Sequence, residues 1–247
     1  MKLLLDLGNT RVKWALQARF GEGWVAQGAV NWQEDVAAQL EAEWTDLPAA
    51  DMVAAASVVD IVREAQLTAS VVRMFGRMPL WLRTPARACG IVNAYAEPQR
   101  LGVDRFLAMV AAHSEGFAPC VLAGIGTALT LDALADDGRH LGGMIAPGPL
   151  LMQQSLLGAT AQIRLDRAGA ILDLADNTTD AVMSGCWHAA AALIERFAVR
   201  VAPRLGQMPT LILGGGDAAL MQSLLAQPAR VTQDGVLRGL AVWAAAQ

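Results

Sequence analysis

An aspartate closes the apolar run of MKLLLDLGNT, and Gly8, Asn9 and Thr10 form a short polar turn before the alternating stretch RVKWAL. A carboxylate at a strand end, beside a glycine that lets backbone approach a ligand and two side chains that offer donors, suits a phosphate group. Asp6 would hold magnesium directly or through water, because that ion takes carboxylate, water and phosphate oxygens. The same residues also suit an ordinary hairpin with Asp6 at its polar end. Near the midpoint GIGTALT supplies a second such turn, with Gly124, Gly126, Thr127 and Thr130. Two such turns facing each other would grip a polyphosphate from both sides.

A third segment, NAYAEPQRLGVDRFLAMVAA, carries a charged pair. Pro98 and Gly102 punctuate a loop, and Asp104 and Arg105 open a helix whose apolar face follows in Phe106, Leu107, Met109 and Val110. An adjacent acid and guanidinium are thereby held on a rigid element. The plainer alternative makes Asp104 a first-turn acid favoured by the helix dipole, with Arg105 solvated.

The remaining reactive residue types are scattered. Cys89, Cys120 and Cys186 are odd in number and lack CxxC or His-neighbour spacing, which argues against a disulfide framework or a zinc site and for small buried filler. His113, His140 and His188 read as helix or loop residues, and the seven tryptophans as packing residues. LGGG at 213–216 reads equally as a loop where backbone meets a base or ribose and as a strand-to-helix turn that needs glycine.

The elements that must position these groups alternate as in an α/β protein. Residues 2–7 and 11–17 read as strands joined by a tight turn, GWVAQGAV as a third strand, and NWQEDVAAQLEAEW as a helix. DMVAAASVV is a buried strand, 60–75 has helical spacing, and PLWLR suits another strand. The pattern then restarts: VLAGIGTALTLDAL has the skeleton of LLLDLGNTRVKWAL, with a one-residue slip in the turn. GGMIAPG follows, then a helix over 178–200, the strand TLILGGG, a helix from Asp217 and a last helix GVLRGLAVWAAA. Two α/β domains are expected, 1–116 with the first phosphate turn and Asp104, and 117–247 with the second.

Composition narrows the partners. The 247 residues are 54% hydrophobic and 17% charged, with no apolar run of the roughly 20 residues a membrane-spanning helix needs. Asp6 interrupts the opening apolar run too early for a signal peptide, so a cytoplasmic location is expected. A formal charge of −4 without a basic cluster argues against nucleic acid, so anionic ligands must be held locally.

DLGNT, NAY…PQRLGVDR, GTALTLD, GGMIAPG and NTTDAVMSG occur in the order and at the separations of the signature segments of type III pantothenate kinases, so the chain resembles that family from residue 6 to 216. It is similar also to members described as accessory transcription factors. The resemblance implies an α/β protein of two duplicated domains of the actin, sugar-kinase and Hsp70 superfamily. Each would be a ribonuclease H-like mixed sheet flanked by helices, with ATP in a cleft between them. The implied reaction moves the γ-phosphoryl group of ATP to pantothenate, the first step toward coenzyme A. Carried over by position, Asp6, Leu7, Gly8, Asn9, Thr10, Arg11, Val12 and Lys13 form the first ATP phosphate loop, with Asp6 on Mg²⁺, and Thr127 belongs to the second. Asp104 matches the catalytic base, with Arg105 beside it; Tyr95, Gly102, Val103, Asp104, Arg105 and Thr178 match the pantothenate contacts. A homodimer with its substrate pocket near the interface is implied as well.

Phosphoryl transfer mainly needs alignment and neutralised charge. A helix N-terminus favours the carboxylate form of Asp104, which suits orienting the hydroxyl and accepting its proton late. Arg105 offers a fork of donors to substrate or to phosphoryl oxygens. The chain departs from the family at Gly124, where an acid commonly stands two residues before Gly-Thr-Ala and is associated with a K⁺ or NH₄⁺ ion. Glycine brings no charged ligand, so weaker dependence on that ion is expected. Asp132, retained after this loop, also reads as a strand-end acid. The rival readings are a nucleotide-binding regulator of the same fold with little turnover, and a phosphohydrolase or kinase of another alcohol. The joint presence of Asp6, Asp104, Arg105 and Thr127 favours the kinase.

Overall fold

The computed structural model describes residues 1–32, 35–159 and 168–247, and the chain divides into two compact units, Met1–Glu115 with Asp234–Gln247, and Gly116–Gln233. In the first, strand β1 (Lys2–Leu7) pairs antiparallel with β2 (Arg11–Gln17), which pairs antiparallel with β3 (Trp24–Asn31). On its other side β1 runs parallel to β4 (Met52–Ser57), and β4 to β5 (Leu80–Leu82), giving the order β3-β2-β1-β4-β5. Side chains alternate across a strand. Leu3, Leu5 and Leu7 therefore share one face, in a core with Val12, Trp14 and Leu16 of β2 and with Leu40 and Trp44 of helix α1 (Val36–Trp44) and Leu67 and Val71 of α2 (Ile61–Phe75). Each such side chain adds about 1.5–3 kcal/mol when fully buried. Leu4 and Asp6 must face the other way. Residues 33 and 34 of the expected first helix lie outside the described residues.

After β5 a small antiparallel ribbon, β6 (Arg87–Ala88) and β7 (Ile91–Val92), turns through Cys89 and Gly90, whose φ values of 53° and 80° suit a two-residue hairpin. A 3-10 turn at Pro98–Arg100 then leads into helix α3 (Val103–Ser114).

The second unit repeats the plan. Strands β8 (Cys120–Ile125), β9 (Ala128–Leu134) and β10 (His140–Pro147) form an antiparallel meander. Helices α4 (Pro149–Ala159) and α5 (Thr178–Leu205) precede β11 (Thr210–Gly214), α6 (Ala218–Leu224) and β12 (Ala229–Val231). The sheet order is β10-β9-β8-β11-β12, with β8, β11 and β12 parallel, so order and strand directions match the first sheet. The one-residue slip is visible in hydrogen bonds: Gly8 N–H donates to the Arg11 carbonyl at 3.1 Å, whereas Gly126 N–H donates to that of Ala128 at 3.2 Å. Matching these turns sets Gly124 where the first unit has Asp6. GGMIAPG, given no element in the sequence reading, lies in β10, and the three-residue β12 was too short to show periodicity.

The last helix, α7 (Gly235–Ala245), returns to the first unit. Chain order puts it with the expected domain 117–247; in the fold it packs against α3, β1 and β4 of the first unit. Gly239 permits this contact, since a Cβ there would stand 2.0 Å from the Leu107 carbonyl oxygen. Lys2 Nζ donates to the Ala244 carbonyl, so α7 covers the sheet face that carries Leu4 and Asp6.

Candidate active site

Asp6 stands on β1 opposite Lys13 of β2, on the face covered by α3 and α7. Burial, and next the charge of Asp104 from α3, push its carboxyl up to about 7; Asp234, before α7, adds to the rise, and Lys13 and Arg11 oppose it. Acids crowded this way accumulate repulsion that a cation relieves. A buried Asp6 carboxylate with the charges of Asp104 and Asp234 acting on it fits Mg²⁺, which keeps waters and phosphate oxygens and needs one or two carboxylates.

The turn after Asp6 is held from outside. Leu7 and Val12 are buried and anchor its two ends, while Asn9, Thr10 and Arg11 are exposed at its tip. Trp32 Nε1 donates to the Gly8 carbonyl at 2.6 Å, and its backbone N–H donates to that of Thr10 at 3.2 Å. The Arg63 guanidinium lies 4.9 Å from the Trp32 ring centroid. Lys13 is partly shielded, with Nζ 3.4 Å from Asp234 Oδ1.

At the start of α3, Gly102 is the N-cap and Val103 is buried. Asp104 Oδ1 accepts from the backbone N–H of Arg105 at 2.8 Å and stands where a Cβ on Gly102 would come within 2.5 Å, so a side chain at 102 would displace this carboxylate. Arg105 is only 6% exposed, which corrects the solvated alternative. Its Nη1 donates to the Tyr95 hydroxyl at 3.1 Å, and the guanidinium lies 5.9 Å from that ring's centroid. One unit thus brings together Asp6, Lys13, Tyr95, Asp104 and Arg105.

The second unit carries Gly124, Thr127 and Thr178. Thr127 is exposed in the β8–β9 turn, and its carbonyl accepts from Gly148 N–H at 2.9 Å. A Cβ on Gly148 would come within 2.0 Å of the Gly126 carbonyl oxygen, and one on Gly215, at φ 102°, equally close to that of Ile125. The glycines of GGMIAPG and LGGG thus let backbone close around the turn, as the turn reading of LGGG required. A Cβ on Gly124 would meet Thr130 Oγ1 at 2.6 Å, so a hydroxyl fills the space an acid would need. Asp132 is buried within β9, not at a strand end, with Oδ1 2.9 Å from His140 Nε2; His140 is in β10, not a helix or loop. Cys120 and Cys186 are buried, but Cys89 is half-buried at a hairpin turn. Thr178 is the first residue of α5, whose start is fixed reciprocally: Asn177 Oδ1 accepts from Asp180 N–H at 3.0 Å and Asp180 Oδ2 from Asn177 Nδ2 at 2.7 Å. Thr178 borders a cavity of about 1040 Å³ shared with Met152, Leu156, Val182 and Cys186.

Sequence reasoning missed Trp32 and Asp234. Neither lies in a signature segment; only the Asp-Gly pair at 234–235, a turn signal ahead of an apolar helix, marked one of them.

Two mixed sheets of identical order, each with a glycine turn after its first strand, define the actin, sugar-kinase and Hsp70 fold. A Campylobacter jejuni protein described as a Baf family transcriptional activator shares it at a TM-score of 0.62 and 17% identity, over 96% of this chain and 94% of that one. So does the activator of 2-hydroxyisocaproyl-CoA dehydratase from Clostridium difficile with bound ADPNP, at 0.52 and 13%, over 98% and 92%. The chain belongs to the type III pantothenate kinase family, whose model matches residues 2–200. Type III pantothenate kinases of Nitrosospira multiformis and Laribacter hongkongensis are 39% and 40% identical to it, covering 96% and 98% of this chain and 88% and 97% of theirs.

Proposed function

We propose that this protein transfers the γ-phosphoryl group of ATP to the primary hydroxyl of pantothenate, giving 4′-phosphopantothenate, the first step of coenzyme A biosynthesis. One observation carries the reading: in a chain of this family, Asp104 opens a helix beside a part-buried Arg105–Tyr95 clasp and lies near enough to Asp6 to raise its pKa. Phosphoryl transfer to an alcohol needs one group that orients the acceptor and others that hold the metal, and two separately held carboxylates can fill these roles.

In this reading Asp104 orients the pantothenate hydroxyl and takes its proton as the new bond forms, its position set by the helix start. Tyr95, Gly102, Val103 and Thr178 position pantothenate, and Arg105, rigid through its bond to Tyr95, directs its charge at substrate or phosphoryl oxygens. The turn Gly8–Arg11, Lys13 and Thr127 contact the ATP phosphates. Asp6 holds Mg²⁺, which when bound neutralises charge on the phosphoryl oxygens. The Thr130 hydroxyl in the space beside Gly124 supports a weak or absent requirement for K⁺ or NH₄⁺. A homodimer in the cytoplasm completes the proposal; no helix among the described residues is long and apolar enough to cross a membrane.

The test is direct. Purified protein given ATP, Mg²⁺ and pantothenate should yield 4′-phosphopantothenate; nucleotide binding without that product would establish the regulator instead.

A further inference from the structure

Asp234 is a residue whose local geometry serves no local purpose. It occupies the N-cap of α7, where aspartate ordinarily accepts from the helix's first N–H groups, yet its side chain makes no capping hydrogen bond. Its backbone is left-handed, at φ 53° and ψ 32°, and Cys89 is the other non-glycine residue with positive φ among the described residues. Strain of this kind persists where surrounding structure imposes it, and it concentrates at functional positions. What the strained backbone achieves is to aim the carboxylate at Lys13, 221 positions away in sequence.

We propose that Asp234 is a positioning residue of the nucleotide site: it anchors the Lys13 ammonium apart from Asp6, so that Lys13 can meet phosphate while Asp6 receives the metal. The inference rests on the kinase reading above. Register makes the need plain, because Lys13 and Asp6 are cross-strand partners on one sheet face, and an unanchored ammonium would pair with its neighbouring acid. Such a pair would spend the charge of both groups on each other. Among the described residues the ammonium is instead bonded to Asp234, at 3.4 Å. That is longer than a strong charge-assisted bond of about 2.7–2.9 Å, so the hold is loose. Of the three donors on a lysine ammonium, two remain for a phosphate.

The experiment compares Asp234→Asn and Asp234→Gly with the parent, alone and combined with Lys13→Met. Asparagine and glycine both tolerate the left-handed backbone, and glycine relieves its strain, so at least one variant folds. Each should raise KM for MgATP about tenfold while kcat changes less than about threefold, and KM for pantothenate should hold. Calorimetric Kd for MgATP should rise by the same factor, and on the Lys13→Met background the Asp234 substitutions should add nothing. Unchanged MgATP binding, an equal loss on the Lys13→Met background, or a lowered melting temperature with unchanged Kd would each overturn the proposal. If the parent forms no 4′-phosphopantothenate, the kinase reading falls, and the Kd comparison still decides the role of Asp234.

Discussion

Asp6 and Asp104 come from the first strand and from a helix some hundred residues later, and after burial the charge of Asp104 is the largest influence raising the Asp6 pKa. In the metal-free protein the site is thus primed to take up a proton or a cation. In the proposed reaction a divalent ion bound with the nucleotide would remove this repulsion.

With its folded pKa near 7 against an ordinary 3.8, Asp6 binds a proton more readily in the folded protein, so it costs stability as pH rises from about 4 through 7. Asp6→Asn removes that cost. At pH 8 without metal the variant should melt several degrees above the parent, from an effect of up to about 4 kcal/mol, and the two should converge near pH 4. Thermal melts across pH check this, and a constant difference would refute it. Nucleotide binding that depends on Mg²⁺ should be lost in the same variant.

Asp104→Asn should lower kcat by a factor of about 10² or more, since it removes the proposed proton acceptor and keeps the side chain's shape. MgATP affinity should stay within about threefold. Equal loss of both would mean that Asp104 supports the fold or the nucleotide site.

Trp32→Phe removes the hydrogen bond to the Gly8 carbonyl and keeps a ring under Arg63. Loss of about 1 kcal/mol of support for the turn should raise KM for MgATP roughly fivefold with little change in kcat. Steady-state kinetics with ATP varied is the measurement.

A potassium titration should change the rate little. Gly124→Asp alone should destabilise the protein by about 1–3 kcal/mol, because its Cβ would displace Thr130 Oγ1. Combined with Thr130→Ala it should fold normally and show new activation by potassium.

Gly239→Ala puts a methyl group against the Leu107 carbonyl and forces α7 off α3, at about 2–3 kcal/mol. The melting temperature should fall by several degrees, with Arg238 and Glu115, 2.8 Å apart, also disturbed.

The sequence by itself determined most of the elements and the duplication. Apolar periodicity and glycine turns are local, and Leu3, Leu5 and Leu7 alternating with Leu4 and Asp6 already state which residues share a sheet face. The slip between GNT and GT could be counted without coordinates, as could the acid and guanidinium at a helix start. Tertiary structure decided what those faces meet. That α7 crosses back to the first unit depends on a backbone contact at Gly239, which has no periodic signature, and Asp234 therefore reaches Lys13 only in the folded chain. Burial of Arg105 and of the Asp132–His140 pair was likewise invisible, because it depends on packing against residues distant in sequence rather than on the order of neighbours along the chain.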